Sequence, residues 1–314
     1  MQNLLFSLQV VAPVFLIILL GFFLKHKKMI DEQFVSLSSA IVFKIAMPSL
    51  VFTKIAITDF TKAFNPLLIS VCVIGTLVTF ILAWLIVIPV TSSGRARGAF
   101  IQGAFRSNFG VIGLAIVFNM HGESALQKAA ILLSFIMPLY NVLGVIALTI
   151  PARKEKAIKK TRFIWEVFTN PLLLAASLGL VVSFFKIPIH SIILNTCNYL
   201  AALTLPLALL GIGGSLTAMS VKSRLLEGIF ASTLKLVVYP LLFTFIIYLW
   251  GFRGEELGVG FVLFASPAAI AGFAMAKAMD NDSELAANII VISTLLSIVT
   301  LSLGIFLLKT FNLI

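Results

Sequence analysis

The chain carries little charge, and no carboxylate lies in the interior of its long apolar stretches. Only 11% of its 314 residues are charged, against roughly 25% in a typical soluble domain. Together with 60% hydrophobic residues and a mean hydropathy of +1.12, this excludes a soluble globular protein and identifies an integral membrane protein. Cysteine is scarce. Cys72 and Cys197 fall in or beside apolar segments without metal-ligand spacing, which argues against a disulfide framework or a zinc site. The three histidines, His26, His121 and His190, fall in loops or at segment ends, which argues against a buried proton relay. No nucleophile–base pair or metal-ligand cluster lies at apolar depth, so neither an enzyme nor a cofactor is expected. The net charge of +11 points at first to nucleic acid. Its cations come in short blocks between apolar stretches, however, as in cytoplasmic loops of membrane proteins, and no nucleic-acid partner is expected.

What is present is a succession of apolar runs near the ~20 residues a spanning helix needs. The reading predicts an all-α protein with spans near 4–24, 34–57, 66–90, 99–118 and 127–150, then 168–186, 192–218, 226–250, 257–278 and 286–309. In the first run Lys25, Lys27 and Lys28 follow the apolar residues rather than precede them, so a retained helix is expected rather than a cleaved signal. Loop cations set the direction. One side collects Lys25, Lys27, Lys28, Arg95, Arg97, Arg153, Lys154, Lys156, Lys159, Lys160, Arg162, Lys222, Arg224 and Lys277; the other has Lys54, Lys62, Lys128, Lys186, Arg253 and Lys309. The richer side is expected to be cytoplasmic. Both termini then lie outside, and 151–163 forms a cytoplasmic linker between halves 1–150 and 164–314.

The halves carry a faint repeat. A shift of 158 positions places Pro13 on Pro171, Leu16 on Leu174, Leu20 on Leu178, Gly21 on Gly179, Lys28 on Lys186 and Pro48 on Pro206. Five spans per copy is an odd number, so the second copy must enter the membrane in the opposite sense, as in inverted-topology transporters. The same shift places Asn108 on Ser266. Both lie in small, polar or helix-breaking interruptions of spans four and nine, and such paired interruptions point to a transporter binding site.

Charge at membrane depth has one sign. The acidic residues Asp31, Glu32, Asp59, Glu123, Glu155, Glu166, Glu227, Glu255, Glu256, Asp280, Asp282 and Glu284 all read as loop or helix-end positions, whereas Lys44, Arg106 and Lys235 lie inside spans. Buried cations without buried carboxylates suit an anionic substrate and argue against a cation–proton exchanger. Arg106 is read as lying about 8 residues into span four, roughly 12 Å deep at helical rise. It would either meet the substrate or bind carbonyls freed by the break. Second half-helices are expected to begin after Gly110 and after Ser266-Pro267, with Pro267 at a helix start where its missing N–H is harmless. Their positive N-terminal ends, with Arg106, Ser107, Asn108 and Ser266, would form a carboxylate-sized site. Asn141 is added as a substrate-site residue, or as a partner for backbone opened by Pro138. Lys235 and Lys44 are secondary candidates, with snorkelling, a structural contact or a lipid headgroup as alternatives. Ser293, Thr294 and Ser297 are further secondary candidates, or simply back-bond to their own helix.

The segments Gln102 through Gly113 (with Arg106-Ser107-Asn108-Phe109-Gly110 at their centre), Asn170-Pro171, Leu205-Pro206-Leu207-Ala208, Leu234-Lys235 with Pro240, and Ala265-Ser266-Pro267 with Ala276-Lys277 resemble the auxin efflux carrier family. That family includes plant PIN carriers and bacterial malonate and malate permease homologues, and the short linker is similar to the bacterial members. The resemblance implies two inverted five-helix repeats with broken crossover helices 4 and 9, a fold class shared with NhaA and bile acid transporters. It also implies a scaffold of helices 1, 2, 6 and 7, a mobile transport domain of helices 3–5 and 8–10, and a homodimer. Small organic anions would move by an elevator-like displacement, in a bacterial cytoplasmic membrane whose lipids are the other partners. The family's crossover residues correspond to Asn108 and to Ser266-Pro267. Span nine has only serine ahead of its proline, so a symmetric two-amide site is not implied. Two other functions remain open. One is a sodium- or proton-coupled symporter of the bile acid type; the other is a non-transporting receptor or anion channel.

Overall fold

A computed structural model describes residues 2–57, 64–152, 171–216 and 224–314. Most of the expected linker 151–163, the start of the sixth span, and Lys62 and Lys222 lie outside the described residues. Among the described residues the chain is helical, and its one β-type pairing is an isolated antiparallel bridge between Ser107 and Ala268.

Local sequence explains where the helices begin. Helix α1 (Gln2–His26) is apolar almost throughout. Helix α2 (Glu32–Ile41) starts at Asp31, whose carboxylate accepts from Phe34 N at 2.7 Å. It runs through one wide turn, Val42–Ala46, into α3 (Met47–Ala56). Pro48 has no N–H to offer the carbonyl four residues back, and a π turn is a local way to absorb that gap. Helix α4 (Pro66–Val90) is capped by Asn65, with proline at its first position, where a missing N–H is harmless. Helix α5 (Gly94–Phe105) stops at Arg106, and the chain resumes at a wide turn, Phe109–Gly113, leading into α6 (Leu114–Thr149). Helix α6 bends at Gly122, where φ is +73°.

The second half follows with α7 (Pro171–Phe184), α8 (Ser191–Ala202) and α9 (Thr204–Leu216). Helix α10 (Leu225–Thr233) passes through the wide turn Leu234–Val238 into α11 (Tyr239–Leu249), and this turn again precedes a proline, Pro240. Helix α12 (Gly254–Ala265) breaks at Ser266, α13 (Ala271–Ala278) follows the break, and α14 (Ser283–Thr310) starts behind an Asp282 cap.

Seven stretches among the described residues are long and apolar enough to cross a membrane: Gln2–His26, Glu32–Ala56, Pro66–Val90, Phe109–Thr149, Ser191–Leu216, Leu225–Leu249 and Ser283–Thr310. The difference from the ten expected spans has local causes. The breaks leave α5 and α12 at 12 residues each and α13 at 8, too short to count alone. The second part of span four joins span five across the Gly122 bend, and the described part of span six starts at Pro171. Helix α5 also begins five residues before the expected 99, at Gly94. Arg106 therefore lies about 18 Å along its helix rather than 12 Å.

Burial is inverted relative to a soluble protein. Leu16, Leu85, Leu178, Leu241 and Val299 face outward, while Gln102, Arg106, Asn108, Lys235, Ser266, Asn288 and Ser293 are buried. Lipid cannot satisfy polar groups, so they gather inside. Helices approach through small residues. A Cβ added at Gly21 of α1 would strike the Leu210 carbonyl of α9, and one at Gly213 of α9 would strike the Ile18 carbonyl of α1. A Cβ at Gly179 of α7 would stand 3.1 Å from Ile55 and 3.2 Å from the Phe52 carbonyl of α3. Gly213→Val is expected to force α1 and α9 apart and destabilise the protein by about 1–3 kcal/mol or more, read as a lower melting temperature in detergent.

Candidate functional site

The two breaks lie across one another. Arg106 and Ser266, the C-caps of α5 and α12, are extended (ψ 114° and 143°), so both chains leave the helix as short strands. Asn108 N donates to Pro267 O at 2.8 Å and Ala269 N donates to Arg106 O at 3.2 Å. Side chains complete the pairing. Ser107 Oγ donates to Ser266 O at 3.2 Å, and Ala268 N donates to Ser293 Oγ of α14 at 3.1 Å. A break buried away from water must satisfy its freed backbone groups within the protein, and each break supplies partners to the other.

Arg106 is 5% exposed. One guanidinium nitrogen donates to Asn141 Oδ1 at 3.0 Å and another lies 2.8 Å from Met275 Sδ. No carboxylate pairs with it among the described residues. Asn141 thus holds Arg106 and not the backbone opened by Pro138. Asn108 is 9% exposed, and its side-chain amide makes no hydrogen bond among the described residues. The helix beginning at Phe109 starts without a side-chain cap, so its first N–H groups have no intrahelical acceptor.

Other expected site residues are placed differently. The second half-helices start at Phe109, just before Gly110, and at Ala271, four residues after Pro267. Pro267 therefore sits in the crossing strand instead of at a helix start, because its carbonyl is drawn to Asn108. Gly110 packs on Leu133 and Met137. The Ser266 hydroxyl is fully buried and donates to Val262 O at 2.6 Å. Ser293 supports the crossing, Ser297 donates to Thr294 O at 2.7 Å, and Thr294 Oγ1 is buried without a partner. Lys235 is 1% exposed, with its amine 2.7 Å from Phe264 O. It therefore does not snorkel. Lys44 is exposed on the wide turn after α2, away from the crossing.

Residues not singled out in the sequence complete the surroundings. Gln102 lies one turn before Arg106, is buried, and shares Met275 with it through a 3.4 Å contact. Its carbonyl oxygen has no partner. Tyr140 is buried, with its ring edge-on to Phe105 at 5.8 Å. Gly144 is glycine for space, since a Cβ there would stand 3.2 Å from Gln102 Nε2 and 3.3 Å from Arg106. Gln102 was legible as an intramembrane amide four residues from a buried arginine; Met275 and Gly144 carry no such signal.

A cavity of about 770 Å³ opens beside this region, between α1, α3, α8 and α9 on one side and α6 on the other. Its polar lining is Lys54, Asn119, Glu123, Gln127 and Asn198. Lys54 of α3 pairs with Glu123 of α6 at 2.6 Å, and Asn119 donates to Val10 O of α1 at 2.9 Å. Arg106 and Asn108 do not line it.

The crossing of two broken helices inside an apolar bundle is the setting for comparison with known proteins. The membrane transport protein family matches residues 6–305. The chain belongs to that family, the auxin efflux carriers. It is 27% identical over 299 residues to an uncharacterized transporter of Methanothermobacter thermautotrophicus, covering 95% of this chain and 97% of the relative. It is 26% identical over 313 residues to an uncharacterized transporter of Methanocaldococcus jannaschii, covering 94% and 97%. The family and both relatives are described as transport proteins, and the chain is a multi-pass membrane protein of that kind.

Asn141→Leu is expected to leave Arg106 short of an acceptor and to lower stability by about 1–3 kcal/mol. In an Arg106→Gln background the same change should have a much smaller effect. The difference is read as a coupling in a double-mutant melting cycle.

Proposed function

We propose that this carrier is a secondary transporter of small organic anions, mono- or dicarboxylates such as malonate or malate. The observation that carries this reading is Arg106, a buried cation without a carboxylate partner among the described residues, beside the crossing and the uncommitted amide of Asn108. An unpaired buried charge is strongly unfavourable, and a substrate carboxylate would relieve it by a charge-assisted, bidentate contact. Arg106, Ser107, Asn108 and Gly110 would supply most of the recognition, with Asn141 holding the guanidinium. Ser266 and Pro267 would contribute chiefly the shape of the crossing. Lys235, Lys44, Ser293, Thr294 and Ser297 would lie outside the contact surface.

Movement would be of the elevator type, with helices 3–5 and 8–10 sliding as a transport domain against a scaffold of helices 1, 2, 6 and 7. Two features support this division and the inverted repeat. α1 packs on α9 at Gly21 while α7 packs on α3 at Gly179, which are corresponding glycines of the two copies making reciprocal contacts. The cavity and the Lys54–Glu123 pair lie between the two proposed domains, where relative sliding would open and close a path. Ten membrane crossings in halves 1–150 and 164–314, both termini outside, and the cytoplasmic membrane as location belong to the same reading. So does a second copy docked through the scaffold amid membrane lipids.

Arg106→Gln is expected to abolish carboxylate uptake by proteoliposomes while the variant still purifies as a folded, monodisperse protein. Uptake at the wild-type rate would remove the counter-charge role. A melting screen of the wild type against small carboxylates should find a saturable rise for at least one, and that rise should disappear in Arg106→Gln.

A further inference from the structure

The carbonyl end of α12 is a break in the middle of a membrane protein, and its backbone can be followed group by group. The final carbonyls of a helix have no intrahelical donor, and the helix dipole makes that end negative. In carriers with broken helices, such buried carbonyl ends are places where a coupling cation binds. Here Pro267 has no N–H to give to Leu263 O. Ala268 N, which would serve Phe264 O, is turned to Ser293 Oγ. Ala269 N, which would serve Ala265 O, is turned to Arg106 O. The helix end is therefore short of donors.

Lys235 fills part of that gap. Its side chain reaches from the wide turn Leu234–Val238, and its amine donates to Phe264 O at 2.7 Å. No carboxylate pairs with it among the described residues. Lys235 is 1% exposed, and the ring of Phe264, whose carbonyl it meets, stacks on Phe243 at 4.6 Å with Gly75 of α4 against both. An ammonium in such surroundings needs negative potential from somewhere, and the end of α12 supplies it.

We propose that Lys235 is a tethered cation, occupying the place at the carbonyl end of α12 that a free sodium ion would otherwise take. On the transporter reading, on which this rests, the chain then needs no sodium at this helix end, and Lys235 acts as a positioning residue for the crossing.

The test is the melting of purified protein in sodium, methylammonium or N-methylglucamine chloride at equal ionic strength, without any organic anion. Wild type and Lys235→Arg are expected to melt alike in all three. Lys235→Ala should melt lower in N-methylglucamine and recover saturably in sodium or methylammonium, by about 3 °C at roughly tenfold excess over Kd. Should Lys235→Ala not yield folded protein, Lys235→Gln replaces it, with the same sodium-dependent rise expected. A saturable sodium response in the wild type would overturn the proposal, as would a lysine-free variant indifferent to small cations. Because no anion is present, failure here is separable from failure of the carboxylate screen.

Discussion

Everything at the centre of this molecule depends on one constraint: two helices are interrupted where no water can reach their backbones. An interruption in isolation would leave several N–H and C=O groups unpaired in an apolar interior, each costing about 1–3 kcal/mol or more. The bonds from Asn108 N to Pro267 O and from Ala269 N to Arg106 O satisfy part of this need on both sides at once. Ser293 of α14 supplies a further acceptor to the crossing, and Asn141 of α6 supplies one to Arg106.

The cations are placed by the same logic. Lys235 is spent on a carbonyl that the crossing leaves without a donor. Arg106 is held by the neutral acceptors Asn141 and Met275, which orient a guanidinium without neutralising it. Two buried cations thus have opposite characters, one satisfied by backbone and one left with charge to offer. That contrast is why the functional reading rests on Arg106 rather than on the intramembrane cations as a group. The polar residues at the two breaks divide similarly, since Ser266 turns back onto its own helix while Asn108 keeps its amide uncommitted.

Much of this was legible in the residue pattern. The positions of both breaks could be read because small, polar and proline residues interrupt apolar runs only where backbone is freed. The helices flanking Pro66–Val90 could be read because lipid-facing and core-facing positions are alike apolar. What could not be read was direction and pairing. Pro267 was expected at a helix start, which is its local preference, yet a partner 159 residues away draws its carbonyl into a strand-like pairing. Asn141 was read as a substrate-site residue or as a partner for backbone opened by Pro138, and its contact with the guanidinium of another helix could not be read from either. Met275 and Gly144 escaped notice because their role is to touch Arg106 or to leave room for it, and no sequence spacing encodes that, whereas Gln102 carried a signal in its place one turn before Arg106.

By itself, the sequence determined that this protein lives in a membrane, where its helices run, where two of them break, and that its buried charge is positive. These follow from composition and from local backbone chemistry, which act within a few residues. Only the tertiary structure decided that the breaks cross, which cation is satisfied and which is left available, and where the cavity beside them opens. Those outcomes turn on hydrogen bonds and steric fits between residues far apart in the chain, such as Ser107 with Ala268 and Lys235 with Phe264. They exist only once both halves are packed together.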